Sequence, residues 1–107
     1  MIKTITLLKR RPDLNPEEFH RYWRDVHANL VLQLPGVRQY VQSRPVFIPG
    51  KEPRFDGVAE VWYDDLASLR ATIDSEACKQ LLADEMNFMG PSTRESIFLI
   101  VEEHTIL

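Results

Sequence analysis

The sequence lacks most of the motifs on which common enzyme classes depend. Its one cysteine, Cys78, has no partner for an internal disulfide and no second thiol for a cysteine-based metal site. It has no glycine-rich phosphate loop, no Ser/His/Asp nucleophile motif and no zinc-ligand spacing. These absences weigh against nucleotide-dependent enzymes and hydrolases, and a lone thiol suits a reducing compartment.

Positive charge and long apolar runs are also scarce. The formal net charge is −3, and Arg10-Arg11 is too short to form a basic patch, so we expect no nucleic-acid partner. No apolar run approaches the ~20 residues needed to span a membrane, and the first residues lack the order of a signal peptide. We therefore expect no membrane association and a cytoplasmic location.

The composition is that of an ordinary globular domain. Hydrophobic residues make up 44% and charged residues 27% of the 107 residues. We expect one domain, residues 1–107, with a small core. Hydrophobic periodicity, caps and turn residues predict the elements in the order strand, helix, strand, strand, helix, strand. The predicted strands cover residues 2–9, 37–45, 55–63 and 96–103.

The first helix is the strongest local signal. Asn15 can cap it, Glu18 completes a capping box, and Pro35-Gly36 ends it after Leu34. A second helical region begins at Asp64 or Asp65, breaks at Asp74-Ser75 and ends at Gly90-Pro91. The element order is that of the α+β ferredoxin-like fold, βαββαβ, with a four-stranded antiparallel sheet and the helices on one face.

The last strand predicts a partner for the other sheet face. Residues 96–101 are apolar on both sides, and a strand with two apolar faces is normally buried on both. An exposed apolar patch of this size usually marks an interface. We therefore expect a homodimer that buries the open sheet face, with two-fold symmetry.

His27 is the first candidate for chemistry. It lies at the edge of the apolar face of the first helix, where a histidine can give or take a proton near neutral pH. The alternative is a half-buried histidine bonded to a backbone carbonyl, which periodicity alone favours. His20 lies early in the same helix, about 10 Å away along the axis, too far to share a metal ion, and we expect it to be solvated.

The second and third strands carry further candidates. Tyr40 lies on the second strand, and Asp56, Glu60 and Trp62 share one side of the third; each can face either the helices or a partner chain. Glu60 is costly to bury unpaired, so it needs a cation, a tyrosine or a ligand. A cavity carboxyl for acid–base work and a salt bridge across the sheet are equally good interpretations. Tyrosine and tryptophan here are more often packing residues.

Two adjacent acids precede the end of the second helical region. Asp84 and Glu85 point in different directions, which predicts a solvated face or a helix-end salt bridge. Cys78 shares a side with Leu81 and Leu82 and is expected to be an inert buried thiol.

With these residues placed, the whole chain resembles the EthD family of the dimeric α+β barrel superfamily. The motifs that carry the resemblance, in chain order, are Phe19-x-x-Tyr22-Trp23-x-x-x-His27, Pro35-Gly36, the segment from Asp56 to Trp62, and Asp84-Glu85-x-x-Phe88. The resemblance implies a homodimer with a small cavity in each protomer between sheet and helices. It also implies cofactor-free chemistry on small cyclic or aromatic compounds.

The resemblance extends in part to methylmuconolactone methylisomerase. The helix histidine and strand-two tyrosine of that enzyme correspond to His27 and Tyr40, whereas its cysteine corresponds to Val61. We therefore predict a cofactor-independent enzyme of isomerase or lyase type, and alternatively a non-catalytic small-molecule-binding accessory protein of an oxidative degradation pathway. Haem binding, which would use His27, ranks well below both. The predicted catalytic residues are His27, Tyr40 and Glu60, and the predicted substrate-binding residues are Trp23, Asp56, Trp62 and Phe88.

Overall fold

The computed structural model describes residues 1–107 and contains one four-stranded antiparallel sheet. The strand order is β2-β3-β1-β4, so the first and third strands are central. With helices in the two crossover connections, this is the ferredoxin-like α+β fold, and the fold prediction is confirmed. The strands are β1 (Ile2–Leu8), β2 (Gln39–Ser43), β3 (Gly57–Tyr63) and β4 (Ile97–Glu102).

The helices begin where the caps predict. Asn15 and Glu18 form the expected capping box, and the side chains of Asp65 and Ser75 cap the two later helices. The first helical region ends at Val31, before the predicted Leu34, because Gln33 and Leu34 form tighter i to i−3 bonds. The α-helices are α1 (Pro16–Tyr22), α2 (Ala28–Val31), α3 (Leu66–Ile73) and α4 (Glu76–Asp84), and two 3₁₀ segments follow α4 at Glu85–Asn87 and Gly90–Glu95.

A π-helical segment, Trp23–His27, joins α1 to α2. The N–H of Ala28 donates to the carbonyl oxygen of Trp23, five residues back. In a regular α-helix, each side chain points about 40° further around the helix axis than the side chain four residues before it. The wider π turn offsets this drift, so the buried residues Phe19, Trp23, His27 and Val31 all face inward. His27, expected at the edge of the apolar face, is only 5% exposed.

The core is divided into two clusters of buried side chains. The first joins α2 to β3, α3 and α4: Val31, Leu34, Val61, Tyr63, Leu69 and Cys78. The second joins β1 and α1 to the turn after α4: Leu8, Phe19, Trp23, Phe88 and Met89. A cavity bordered by residues of both clusters lies between the helices and the sheet.

The edge strand β4 stays open. Leu99 and Ile100, on opposite faces of the strand, are 52% and 48% exposed. The helices therefore leave β4 uncovered on both sides within one protomer. No helix is long and apolar enough to cross a membrane.

Candidate active site

The register of the sheet decides which side chains face the helices. Thr4 on β1 pairs with Val61 on β3, and Val61 pairs with Tyr40 on β2. Directly paired residues share a face, so these side chains form one row on the helix side of the sheet. The row lines a cavity of about 420 Å³, the size of a small-molecule site.

His27 and Trp23 form part of the cavity wall opposite the sheet. Trp23 is buried against Gly57 at the start of β3, where an added Cβ would lie 2.7 Å from two ring carbons of the indole. Glycine at this position therefore allows the indole to approach the sheet closely. Most of the remaining lining is aliphatic, from Val31 and Leu34 on the helix side and Leu8 on β1.

The imidazole of His27 is fixed by a carboxylate. Its Nδ1 lies 2.8 Å from Oδ2 of Asp84, and both side chains are nearly buried. Burial lowers the pKa of His27, and the hydrogen bond and charge of Asp84 partly offset this effect. Because Asp84 accepts at Nδ1, the neutral ring carries its proton there and presents Nε2 as the acceptor. No protein group bonds to Nε2, which makes it the nitrogen available to a ligand.

Asp84 has two other donors. The hydroxyl of Tyr22 lies 2.5 Å and Nδ2 of Asn87 2.9 Å from Oδ1 of the carboxylate. Burial alone would raise the pKa of Asp84, but the hydrogen bonds from Tyr22, Asn87 and His27 together lower it. Asp84 therefore stays ionised beside the imidazole.

The π turn brings Tyr22 and His27 to the same carboxylate. In a regular α-helix, residues five apart point about 140° away from each other. The π-helical segment between these two residues narrows that angle, so both side chains reach Asp84. Single π turns of this kind are frequent at functional sites.

Tyr40 is held from the sheet side. Nε2 of Gln42 donates to the Tyr40 hydroxyl at 2.7 Å and to the carbonyl oxygen of Trp23 at 3.0 Å. The tyrosine oxygen thus accepts a bond from the protein, and its own proton is available to an oxygen in the cavity. Burial raises the pKa of Tyr40, which keeps this hydroxyl protonated.

Glu85 also lines the cavity, next to the paired Asp84 in sequence. Burial raises the pKa of Glu85, and the charge of Asp84 raises it further. The environments of the two adjacent acids therefore shift their pKa values in opposite directions. Asp84 is satisfied by three donors, while no side chain donates to Glu85.

Glu60 and Trp62 lie on the other face of the sheet. Nζ of Lys3 lies 2.9 Å from the Glu60 carboxylate, and it also sits 4.9 Å from the centre of the Trp62 ring. The indole N–H of Trp62 donates to Glu103 at 3.1 Å. The structure thus separates both residues from His27, because the side of β3 that faces the helices is the other one, which carries the uncharged residues Gly57, Ala59, Val61 and Tyr63. The salt bridge across the sheet is the interpretation that fits Glu60.

Asp56 also lies outside the cavity. Its carboxylate accepts from the backbone N–H of Arg10 at 2.9 Å and from Nε of Arg10 at 3.2 Å. It borders a separate cleft of about 440 Å³ lined by charged residues of both signs. Phe88 is fully buried rather than exposed to the cavity, and its ring packs 4.5 Å from the imidazole of His27. Phe88 therefore supports the histidine from behind.

The structure thus brings together His27, Tyr40 and Trp23 at one cavity. It adds Asp84 and Glu85, which the sequence predicted to be a solvated face or a salt bridge. Two sequence signals pointed toward Asp84: the motif Asp84-Glu85-x-x-Phe88, and the polar side chains of Tyr22 and His27 on a helix with one buried face, where polar groups need partners. His20, expected to be solvated, is buried beside Phe19 and does not line the cavity. No group of His, Cys, Asp or Glu side chains is arranged to hold a metal ion.

The fold places the chain among the ferredoxin-like α+β proteins in which sheet and helices enclose a small cavity. Within that class, the chain belongs to the EthD family, since the EthD domain pattern matches residues 11–92. The matched region contains His27, Tyr40, Asp84 and Glu85.

Similar proteins support this assignment. An EthD family protein from Bacillus halodurans is 30% identical, with a TM-score of 0.80 over 97% of this chain and 99% of that one. An uncharacterized 11.0 kDa protein from the thcB-thcC intergenic region of Rhodococcus erythropolis is 22% identical over 96% of both chains.

Two more distant structures share the fold. A dimeric ferredoxin-like protein of unknown function from Thermobifida fusca has a TM-score of 0.69 and 14% identity, over 95% of this chain and 90% of that one. SnoaB, a cofactor-independent oxygenase from Streptomyces nogalater, has a TM-score of 0.66 and 13% identity, over 99% of this chain and 95% of that one.

Proposed function

We propose that this protein is a cofactor-independent enzyme that performs acid–base chemistry, of isomerase or lyase type, on a small cyclic or aromatic compound. The observation that carries the proposal is the His27–Asp84 pair at the cavity wall. A base whose second nitrogen is held by a carboxylate has a fixed orientation and tautomer, the arrangement that general-base catalysis requires. The fold itself is compatible with chemistry without a cofactor, since SnoaB, a cofactor-independent oxygenase, shares it.

Each of the cavity residues has a defined role in this proposal. His27 removes a proton from the substrate through Nε2 and returns it at another position. Tyr40 donates a hydrogen bond to the substrate oxygen on which negative charge develops. Trp23 supplies an apolar wall, and Asp84 is a positioning residue that acts through His27.

The proposal is tested with proton exchange. A panel of cyclic ketones and lactones is incubated with the protein in D₂O, and deuterium uptake or isomerisation is followed by NMR. His27→Gln should lower the rate by about 10²–10⁴-fold. The control is His20→Gln, which changes a buried histidine of the same helix outside the cavity and should retain the wild-type rate.

Two results would contradict the enzyme proposal. One is exchange that survives His27→Gln unchanged in a protein that is folded. The other is saturable binding of panel compounds with no conversion of any of them, which would favour the non-catalytic binding protein.

We also propose that two copies of the chain associate through the sheet face opposite the helices. Leu99 and Ile97 expose 52% and 39% of their surface on that face of β4, and Ile5, Leu7 and Val58 extend the apolar patch inward. Patches of this kind mark interfaces, and a two-fold axis lets one surface cover its own copy. The dimeric ferredoxin-like protein from Thermobifida fusca supports this choice of partner.

A further inference from the structure

The cavity is lined by an acidic side chain without a cationic one to balance it. Glu85 is its one carboxyl group, and no lysine or arginine lines it. Burial lowers the pKa of His27, so the imidazole favours its neutral form. Burial also raises the pKa of Tyr63 to about 12 and that of Cys78 above its usual value, so both remain protonated. Glu85 is therefore the one lining group that can bring a negative charge into the cavity, although burial and the charge of Asp84 raise the pKa of its carboxyl above the usual value.

The charge of Glu85 has no counter-ion. No ion pair joins Glu85 to a lysine, arginine or histidine side chain, whereas Lys3 pairs with Glu60, Arg10 with Asp56 and Arg38 with Asp64. The hydrogen-bond donors next to Glu85 go to Asp84, which adds a second negative charge beside the cavity wall.

We propose that Glu85 makes this cavity selective for uncharged ring compounds and excludes carboxylates and phosphates. For the substrate, the inference rests on the proposed enzyme function and narrows its class to a neutral ketone, lactone or phenol. An anion entering the cavity would lose its water, find no cation and meet the field of Glu85 and Asp84. A neutral ligand avoids these electrostatic costs. The Tyr40 hydroxyl can donate a hydrogen bond to its carbonyl or hydroxyl oxygen, and Nε2 of His27 can accept one from its hydroxyl group.

The inference is tested with a matched pair of probes, 2-naphthol and 2-naphthoate, which differ in one ionised group at pH 7.5. Their dissociation constants are measured by isothermal titration calorimetry on the full chain. The wild-type protein should bind 2-naphthol at least about tenfold more tightly than 2-naphthoate, a difference of about 1.4 kcal/mol. Glu85→Gln should improve 2-naphthoate binding about tenfold and change 2-naphthol binding less than about threefold.

The control is Glu76→Gln, which removes an exposed carboxylate from α4, the helix that precedes Glu85. It should leave both dissociation constants unchanged. Should Glu85→Gln fail to fold, as judged by circular dichroism, Glu85→Met provides a second neutral side chain with the same expected effect.

Three results would overturn the inference. These are equal binding of the two probes to the wild-type protein, binding of neither probe, and an unchanged ratio in the folded Glu85 variants. Failure of the enzyme proposal gives a different signature, since turnover that survives His27→Gln does not alter the ratio between the probes. Conversely, equal binding of the probes can coincide with complete dependence of turnover on His27.

Discussion

Nδ1 of His27 lies 2.8 Å from Oδ2 of Asp84, although 57 residues separate them in sequence. The bond joins the π turn of the first helical region to the last residue of α4. It fixes the ring at the cavity wall and leaves Nε2 for a ligand.

Asp84→Asn should weaken the base, because it removes the carboxylate charge and leaves one acceptor oxygen where the carboxylate has two. Asp84 raises the pKa of His27 against the effect of burial, so loss of its charge should lower that pKa further. We expect kcat to fall by at least about ten- to a hundredfold with little change in KM, the loss typical of a carboxylate that orients a metal-binding histidine. Asp74→Asn, at an exposed helix end, is the control.

The same variant has a readout that needs no substrate. The pKa of His27 is measured from its imidazole signals by NMR in wild type, Asp84→Asn and Asp74→Asn. A His27 pKa in Asp84→Asn equal to or above the wild-type value would contradict the assigned interaction.

The free energy of unfolding should fall as the pH drops below about 6.5, because His27 binds a proton less readily in the folded state than in the unfolded chain. Its folded pKa is lowered, so the unfolded chain binds the proton first in the window between the folded pKa and 6.5. Each such histidine contributes up to about 1.4 kcal/mol per pH unit within its window. His27→Gln should therefore flatten the pH dependence of the free energy of unfolding.

Urea unfolding at pH 7.5, 6.5 and 5.5 and one protein concentration measures this slope. His20 has a lowered pKa for the same reason, burial, and continues to contribute in the His27 variant. Glu85 acts in the opposite sense, since its raised pKa makes the folded state gain stability as the pH falls toward 4.5. Equal slopes for His27→Gln and wild type would show that His27 does not titrate differently on folding.

Leu99→Glu should separate the proposed dimer. Leu99 lies on the face of β4 opposite the helices and is 52% exposed, so a glutamate there costs the protomer little. In a dimer, the same carboxylate would be buried without a partner. Sedimentation velocity at micromolar concentration should report the mass of one chain for Leu99→Glu. It should report two chains for wild type and for the control Leu66→Glu, on the exposed surface of α3.

A monomeric wild-type protein in this experiment would refute the dimer. A dimer that persists in Leu99→Glu would instead move the interface away from β4.

Gly57→Ala should displace Trp23. The added methyl group would lie 2.7 Å from two carbons of the buried indole, so the ring would have to shift within the cavity wall that it forms. We expect a loss of about 1–3 kcal/mol in the free energy of unfolding, typical of overpacking. Combining Gly57→Ala with Trp23→Phe removes the clashing ring and should recover part of the loss.

A double-mutant cycle by urea denaturation tests this contact. Additive effects of Gly57→Ala and Trp23→Phe would mean that the two residues do not touch in solution.

The sequence by itself determined the elements and their order. Asn15, Asp65 and Ser75 are local caps, so their effect does not depend on the rest of the chain. The alternation along the strands is equally local. These signals were enough to predict the ferredoxin-like fold, and the order and spacing of the four motifs together were enough to indicate the family. The predicted stop at Gly90-Pro91 is wrong, since α4 already ends at Asp84 and Gly90 begins a 3₁₀ segment.

Only the tertiary structure decided which residues meet at the cavity. Alternation has a period of two and is the same from either side, so it could not show that Glu60 and Trp62 face away from His27. The π turn breaks the α-helical period and turns His27 inward, which a fixed angle of 100° per residue cannot predict. The roles of Asp84 and Glu85 diverge because one meets Tyr22 and His27 across the fold and the other faces the cavity. That difference arises from packing between distant segments, so the local sequence around Asp84 and Glu85 does not show it.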